Sequence, residues 1–206
     1  MSASEVPESV RFKEIEHKFV VPDDFDLDAL RSELKALGPT GTTVQDVRDV
    51  YYFTRHQPQY IYRHRCDQEL QHLSVKSIER DSEVRLEVNL DLGQHRGDQQ
   101  AAVEEFLATF DVVWRGVIDK QIEVYYFPDC EVVYYRAQAD SRRVSCVEFE
   151  AVGAASLADA LAILSRYEQR VGFASRERTA KTLVEILFPD ESRRFRGQLA
   201  EAGSQL

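Results

Sequence analysis

Charged residues recur at every second position in several short segments of this chain, and that spacing constrains its fold more than any other feature. In the segment Glu14–Phe19, charged residues alternate with Ile15 and His17. Successive side chains of a β-strand point to opposite faces, so residues two apart share one face. The segment therefore predicts a strand with one charged face and one mainly apolar face.

The same alternation returns in later segments. Pairs of charged residues two positions apart are Arg63 and Arg65, Arg85 and Glu87, and Glu148 and Glu150. Lys76 and Lys120 are single cations in otherwise apolar or alternating segments. A sheet with one wet face and one core face explains any single strand of this kind. It explains less well why some strands carry paired glutamates and others paired arginines or a single lysine, because a solvated face more often mixes both signs with Ser, Thr and Gln.

The predicted elements indicate an antiparallel sheet or barrel. Strands are predicted at Glu14–Val21, Val47–Thr54, Tyr60–Arg65, Leu73–Ile78, Ser82–Leu90, Ile118–Phe127, Glu131–Arg136 and Arg143–Ala151. Helices are predicted at Leu27–Leu37, Gln99–Phe110, Leu157–Val171 and Thr179–Phe188. About eight strands with few helices and no βαβ rhythm favour an α+β class built on an antiparallel sheet or barrel.

The length of 206 residues suits a single domain. Residues 1–11 are predicted to form a loosely ordered N-terminal tail, and residues 189–206 a polar C-terminal tail. Residues 12–188 then form one domain.

Composition limits the classes of function. The formal net charge of −10 argues against sequence-independent binding to nucleic acid or anionic membranes, both of which favour basic proteins. Cys66, Cys130 and Cys146 form no CxxC pair, so neither a disulfide framework nor a zinc site is indicated. Nothing approaches about 18 uninterrupted apolar residues, and a cytoplasmic location is expected.

If the charged faces curl into a barrel, charges of both signs meet in its interior. The carboxylates concerned are Glu14, Glu16, Glu87, Glu148 and Glu150. The cations are Lys18, Arg63, Arg65, Lys76, Arg85 and Lys120. Unpaired charges there are costly, and a ligand that satisfies both signs removes the conflict. Mg²⁺ binds carboxylates together with substrate phosphates and water, whereas Arg and Lys bind phosphate oxygens, so a metal–polyphosphate complex fits both demands.

In the same order along the chain, these segments resemble the strands of the CYTH superfamily, the triphosphate tunnel metalloenzymes. Glu14–Lys18 matches the ExExK signature, and Asp49–Phe53 resembles a DxYF-type second strand. The later matches are the RxR strand at Arg63–Arg65, the LTxK-type strand at Leu73–Lys76, the RxE strand at Arg85–Glu87, the sixth-strand lysine at Lys120, the closing ExE at Glu148–Glu150 and the terminal segment at Thr179–Phe188. The resemblance covers nearly the whole chain.

The resemblance implies a closed eight-stranded antiparallel barrel, a tunnel open at both ends and flanked by helices. Members of the family bind nucleoside triphosphates, thiamine triphosphate or inorganic tripolyphosphate, and hydrolyse them or cyclise ATP. The residues implied to hold Mg²⁺ or Mn²⁺ are Glu14, Glu16, Glu148 and Glu150. Those implied to bind the phosphate chain are Lys18, Arg63, Arg65, Lys76, Arg85 and Lys120. Glu87 is implied to hold neighbouring basic side chains in place or to help with metal.

Two positions depart from the family pattern. Two residues after Lys120, where the family usually has an arginine, this chain has Ile122. Where the seventh strand usually ends in an aspartate that contributes to the metal site, this chain has Tyr135. Asp140 from the following loop, and Arg142 or Arg143, are the candidate replacements. Loss of one phosphate-binding arginine can remove several kcal/mol of transition-state stabilisation, which weakens the prediction of catalysis.

The leading hypothesis is metal-dependent hydrolysis of a small-molecule triphosphate. Glu14, Glu16 and Lys18 are the predicted catalytic residues, with a metal site on the two glutamates orienting or deprotonating the attacking water. Inorganic tripolyphosphate is the first choice of substrate, since the sequence contains no recognisable base-binding pocket. The alternatives are a class IV-type adenylyl cyclase and a module that binds polyphosphate or a metal nucleotide without turnover. The chain is expected to be a monomer or a homodimer, with no nucleic-acid or membrane partner.

Overall fold

The computed structural model describes residues 13–67, 70–78, 83–93 and 99–202, with side chains as far as residue 195. Its strands are β1 (Lys13–Val21), β2 (Gly41–Thr54), β3 (Tyr60–Cys66), β4 (Gln71–Ser77), β5 (Val84–Asp91), β6 (Val112–Tyr126), β7 (Cys130–Ala139) and β8 (Arg142–Ala151). The helices are α1 (Leu27–Ala36), α2 (Gln100–Ala108), α3 (Leu157–Arg170), α4 (Leu183–Leu187) and α5 (Pro189–Ala202). The strands form one closed barrel, in the order β1-β5-β4-β3-β2-β6-β7-β8. The predicted eight-stranded α+β barrel is confirmed.

Every neighbouring pair of strands is antiparallel, and β1 closes the barrel by pairing on both sides. Its beginning pairs with β5, where Glu14 lies opposite Arg85. Its later part pairs with β8, where Lys18 lies opposite Glu148. Side chains that alternate along a strand therefore alternate between the interior and the outer surface of the barrel.

Three strands are longer than the sequence pattern predicted. β2 begins at Gly41 rather than Val47, β6 begins at Val112, and β7 extends to Ala139. The added parts alternate poorly, but backbone pairing between β2 and β6 runs along almost their whole length and holds them extended. The predicted start of the fifth strand, Ser82, lies outside the described residues.

The outer surface of the barrel is covered by helices on two sides. α1 is capped by Asp26, whose side chain accepts a hydrogen bond from Ala29 N, and buries Leu30 and Leu34. Together with α3, it packs over the outer faces of β1, β7 and β8. α2 buries Val103 and Leu107 against Tyr52 of β2 and its neighbours. These contacts leave the interior-facing residues of the strands free for a separate role.

The C-terminal segment packs over one end of the barrel. Leu183, Val184 and Leu187 of α4 and Phe195 of α5 belong to one cluster with residues from the end of β2 and the start of β3. The rings of Phe195 and Phe53 lie 4.3 Å apart between centroids. The resemblance implied a tunnel open at both ends, and in this chain α4 and α5 lie across one of them.

The predicted tails have different outcomes. A polar C-terminal tail was expected after residue 188, but the structure has a helix there, because Phe195 gives that segment an apolar contact with the barrel. The predicted N-terminal tail, residues 1–11, lies outside the described residues. Within the described part of the chain, no helix has the length and apolar character needed to cross a membrane.

Candidate active site

The barrel encloses a cavity of about 310 Å³, and all eleven charged residues predicted from the alternation lie on its wall. They are Glu14, Glu16, Lys18, Arg63, Arg65, Lys76, Arg85, Glu87, Lys120, Glu148 and Glu150. His17, from the opposite face of β1, contacts Glu168 and Arg178 outside the cavity, and His64 contacts Gln71. The strand alternation therefore separated interior from exterior side chains correctly.

One network of charges links β1, β3, β4 and β5. Lys76 Nζ lies 2.7 Å from Glu14 Oε1 and 3.0 Å from Glu87 Oε2. Arg63 Nη2 donates to Glu87 Oε1 at 3.0 Å. Burial opposes ionisation of Glu87, but Lys76 and Arg63 outweigh it and lower its pKa to about 2. Glu87 thus holds two basic side chains in place in the structure, which is one of the two roles implied for it.

A second network surrounds Lys18 of β1. Its Nζ lies 2.9 Å from Glu16 Oε1 and 3.1 Å from Glu148 Oε1. Burial disfavours the ammonium, but Glu148 and Glu16 raise the pKa of Lys18 above its ordinary value. Arg85 Nη1 also approaches Glu16 Oε1, at 3.4 Å, and its Nη2 donates to the carbonyl of Ala180. The cations of this network are therefore paired with carboxylates before any ligand is bound.

A third network contains a residue that the sequence did not single out. Asp49 of β2 is completely buried, and its carboxylate lies between Arg65 of β3 and Lys120 of β6. The strand alternation could have found it, since Asp49 shares the inward parity of Tyr51, which lines the cavity.

Around Glu150, the negative charge of neighbouring carboxylates outweighs the positive charge of Lys76. Burial, Glu14 and Glu16 together raise the pKa of Glu150 well above its ordinary value. Among the described residues, Glu14 Oε2 is a buried oxygen with no hydrogen-bond partner. Such a surplus of negative charge indicates a place for a cation.

A divalent metal fits these residues, provided that other ligands complete its shell. In the described part of the chain, no three acidic, His or Cys side chains are close enough to form a ready-made metal site. Mg²⁺ does not need one, because it commonly takes one or two carboxylates with substrate phosphates and water. Glu14, Glu16 and Glu150 can supply these carboxylates. Lys18 and Arg85 already bind Oε1 of Glu16, and Lys18 and Tyr135 already bind Oε1 of Glu148, so each of these two carboxylates would offer a metal its other oxygen.

Two guanidinium groups have donors ready for a ligand. Among the described residues, Arg63 Nε and Arg85 Nε are buried and have no hydrogen-bond partner. Buried polar groups in proteins are nearly always hydrogen-bonded, so unpaired buried donors mark a place where a ligand or water binds. Phosphate oxygens are suitable acceptors for both.

The two departures from the family pattern lie side by side on the cavity wall. Ile122 of β6 is opposite Tyr135 of β7 in the strand register, and both line the cavity with Val124 and Val133. Tyr135 donates its hydroxyl hydrogen to Glu148 Oε1 at 2.7 Å. This part of the wall is apolar, apart from one tyrosine hydroxyl that holds a carboxylate.

The suggested replacements for the missing residues are not on this wall. Asp140 lies in the turn between β7 and β8, with a positive φ of 50°. Arg142 donates to the carbonyl of Leu187, and neither it nor Arg143 is among the described residues that line the cavity. The structure therefore does not support compensation by these three residues.

Comparisons with known proteins give structural likenesses only. No protein-family model matches the chain, and no curated protein sequence does so. A protein from Pyrococcus horikoshii superimposes with a TM-score of 0.66 at 18% identity, over 84% of this chain and 99% of that one. A proposed adenylate cyclase from Vibrio parahaemolyticus gives a TM-score of 0.58 at 18% identity, over 84% and 96% of the two chains. A proposed adenylyl cyclase from Hippeastrum, with a dominant triphosphatase activity, gives 0.50 at 13% identity, over 82% and 90%.

At these identities the likenesses establish a shared fold. The neighbours include proteins named as cyclases and one with triphosphatase activity, so the resemblance to the triphosphate tunnel proteins is confirmed at the level of the fold. Function depends on side chains grafted on that fold, and it has to be argued from the cavity itself.

Proposed function

We propose that this protein binds a triphosphate compound together with Mg²⁺ or Mn²⁺ inside the barrel and hydrolyses it. The observation that carries the proposal is a cavity whose wall residues include unsatisfied buried groups of both signs, the acceptor Glu14 Oε2 and the donors Arg63 Nε and Arg85 Nε. A bound anion alone would add to the surplus of negative charge around Glu150, and a bound cation alone would leave the guanidinium donors without partners. A metal–triphosphate complex satisfies both.

In this proposal the phosphate chain binds the basic residues of the wall. Arg63, Arg65 and Arg85 donate to its oxygens, and Lys76 and Lys120 neutralise its charge. Phosphoryl transfer needs mainly positioning and charge neutralisation, and in this proposal these residues supply both.

The acidic residues have two separate tasks. Glu14, Glu16 and Glu150 hold the divalent cation, which when bound would neutralise phosphate charge and make an attacking water more acidic. In this proposal Glu16 also orients that water. The ammonium of Lys18 lies between Glu16 and Glu148, and it reduces the repulsion between these two carboxylates.

The Tyr135 and Ile122 positions favour a second candidate, a module that binds without turnover. The hydroxyl of Tyr135 is hydrogen-bonded to Glu148, a carboxylate that the resemblance assigns to the metal, and Ile122 provides no positive charge for phosphate. Cyclisation of ATP is the remaining alternative, and the fold likeness to a proposed adenylate cyclase motivates its test.

The test is an assay of metal-stripped protein with added Mg²⁺ or Mn²⁺ and a panel of tripolyphosphate, ATP, GTP, thiamine triphosphate and pyrophosphate. Phosphate release and cyclic AMP are both measured. We expect metal-dependent phosphate release, and a loss of about 100-fold or more in kcat/KM in both Glu16→Gln and Arg63→Ala. Glu104→Gln, at a half-exposed position of α2 outside the cavity, is the matched control.

Each other outcome points to a different function. Cyclic AMP from ATP would identify a cyclase. Metal-dependent binding by calorimetry without any turnover would identify the binding module. The absence of both binding and turnover across the panel would refute the proposal.

A further inference from the structure

Asp49 occupies the centre of the β3–β2–β6 part of the barrel. It lies opposite Arg65 in the β2–β3 register, and two residues from Val47, which lies opposite Lys120 in the β2–β6 register. Asp49 Oδ1 accepts from Arg65 Nε at 2.8 Å, and Oδ2 accepts from Arg65 Nη2 at 3.0 Å. Lys120 Nζ lies 2.5 Å from Oδ2. One buried carboxylate therefore joins two cations from two different strands.

Lys120 has particular weight because its side of the cavity is otherwise poor in positive charge. Among the described residues of β6 and β7 that line the cavity, Lys120 is the only cation, and its neighbour two residues on is Ile122. A lysine is a single charge on a flexible stem, so it needs a fixed partner to hold one position. Asp49 is that partner.

We propose that Asp49 is the positioning residue of this cavity: it fixes Lys120 and Arg65 at the spacing at which both contact one triphosphate. The proposal rests on the proposed function, because the ligand is the same. Both oxygens of Asp49 are taken by the two cations and the side chain is completely buried, so it acts through them and not on the ligand.

The electrostatics of the group give the proposal a signature. Burial, and then the nearby Arg65, lower the pKa of Lys120 to about 8, while Asp49 opposes the shift. The other groups that face this pair are Arg63, Tyr51, whose hydroxyl lies 3.3 Å from Asp49, and Tyr135, whose ring centroid lies 5.7 Å from Lys120 Nζ. Removal of the Asp49 charge therefore lowers the pKa of Lys120 further.

The experiment measures kcat and KM for tripolyphosphate with Mg²⁺ from about pH 6 to about pH 10 in the wild type and Asp49→Asn. Since kcat/KM reports the free enzyme, it should fall in the wild type as Lys120 loses its proton. In Asp49→Asn we expect kcat/KM to be about 100-fold lower, as for a misplaced binding group, and its alkaline fall to begin at least about one pH unit lower.

Two further variants separate positioning from folding. Asp119→Asn makes the same chemical change in an exposed ion pair with Arg48 on the outside of the same strands, and it should leave the profile unchanged. Lys120→Met should lack the alkaline fall assigned to Lys120. The Asp49→Asn change should lower kcat/KM much less when it is made in Lys120→Met than when it is made in the wild type, because its partner is then already absent. If Asp49→Asn alone does not fold, the double variant measured against Lys120→Met carries the test, and a small loss between those two is the expected result.

The outcomes are distinct. If the wild type is active but Asp49→Asn has the alkaline profile of Asp119→Asn, or if the Asp49 and Lys120 effects are simply additive, the positioning role is overturned. If the wild type itself neither binds nor hydrolyses tripolyphosphate or the other triphosphates, it is the proposed function that fails, and the Asp49 role fails with it.

Discussion

The cavity has two walls of different chemistry. The wall formed by β1, β3, β4, β5 and β8 carries nearly all of its charges, and most of its carboxylates are paired with a neighbouring basic group, as Glu87 is with Arg63 and Lys76. The wall formed by β6 and β7 contributes mainly apolar side chains, Ile122, Val124 and Val133, together with the charged Lys120 and Glu131. Ile122 and Val124 belong to the same cluster as the apolar residues of α4 and α5.

The difference shows which wall can respond to a ligand. Ion pairs on the charged wall can be exchanged for contacts with phosphate or metal, because the groups already have the required signs and positions. Among its described residues the wall of β6 and β7 has two charged groups, Lys120 and Glu131, and its apolar part continues into the core that holds the C-terminal helices. Substitutions on the two walls should therefore differ both in the size of their effect and in whether they change stability or ligand binding.

The largest effect is expected from Glu87→Gln, which leaves Arg63 and Lys76 facing each other without their shared carboxylate. We expect the free energy of unfolding to fall by about 3 kcal/mol at neutral pH, as when one partner of a buried ion pair is removed. Urea denaturation measures it. Glu104→Gln, which breaks a half-exposed pair with Arg115, should cost less than about 1 kcal/mol.

The same variant tests the pH dependence. The pKa of Glu87 is lowered to about 2, so its contribution is complete above its ordinary pKa of 4.5 and is lost as pH falls through the folded-state value. The wild type should lose stability on acidification from about pH 4.5 toward pH 2, and Glu87→Gln should lose less over that range. If the free energy of unfolding fell equally with pH in the two proteins, the ion pairs of Glu87 would not contribute the expected stability.

A smaller effect of opposite sign is expected from Ile122→Arg on the apolar wall. The new guanidinium would face the cavity beside Lys120 and give phosphate a further donor. We expect KM for tripolyphosphate to fall about tenfold, the value of one hydrogen bond to a charged group. Ile122→Met controls for side-chain length. An unchanged or raised KM, with the fold intact by circular dichroism, would show that this wall does not face the phosphate chain.

The smallest effect is expected from Tyr135→Phe, which removes the hydroxyl that binds Glu148. The free energy of unfolding should fall by about 1 kcal/mol, the usual value of one buried hydrogen bond. Tyr126→Phe, whose hydroxyl lies 3.2 Å from Thr43 Oγ1 at an exposed site, should cost less. Equal losses of unfolding free energy in the two variants would mean that the Tyr135–Glu148 hydrogen bond stabilises the fold no more than an exposed one does.

The sequence by itself determined which segments form strands, though not their full length, and which face the predicted charged residues occupy. The alternation of Glu14, Glu16 and Lys18 is local, since a strand repeats every two residues whatever it pairs with. The same holds for Arg63 and Arg65 on β3, which is why the whole predicted charged set lies on one cavity wall or the other. The outward position of His17 follows from the same rule.

The tertiary structure alone decided which of these residues are neighbours. The place of Asp49 between Arg65 and Lys120 depends on the register of three strands, two of which are more than fifty residues apart along the chain. The hydrogen bond from Tyr135 to Glu148 depends on the pairing of β7 with β8. The packing of α4 and α5 over one end of the barrel depends on contacts between distant residues, such as that of Phe195 with Phe53. Periodicity is a property of each strand, whereas register and closure come from the sum of weak contacts between distant segments, and no local pattern encodes that sum.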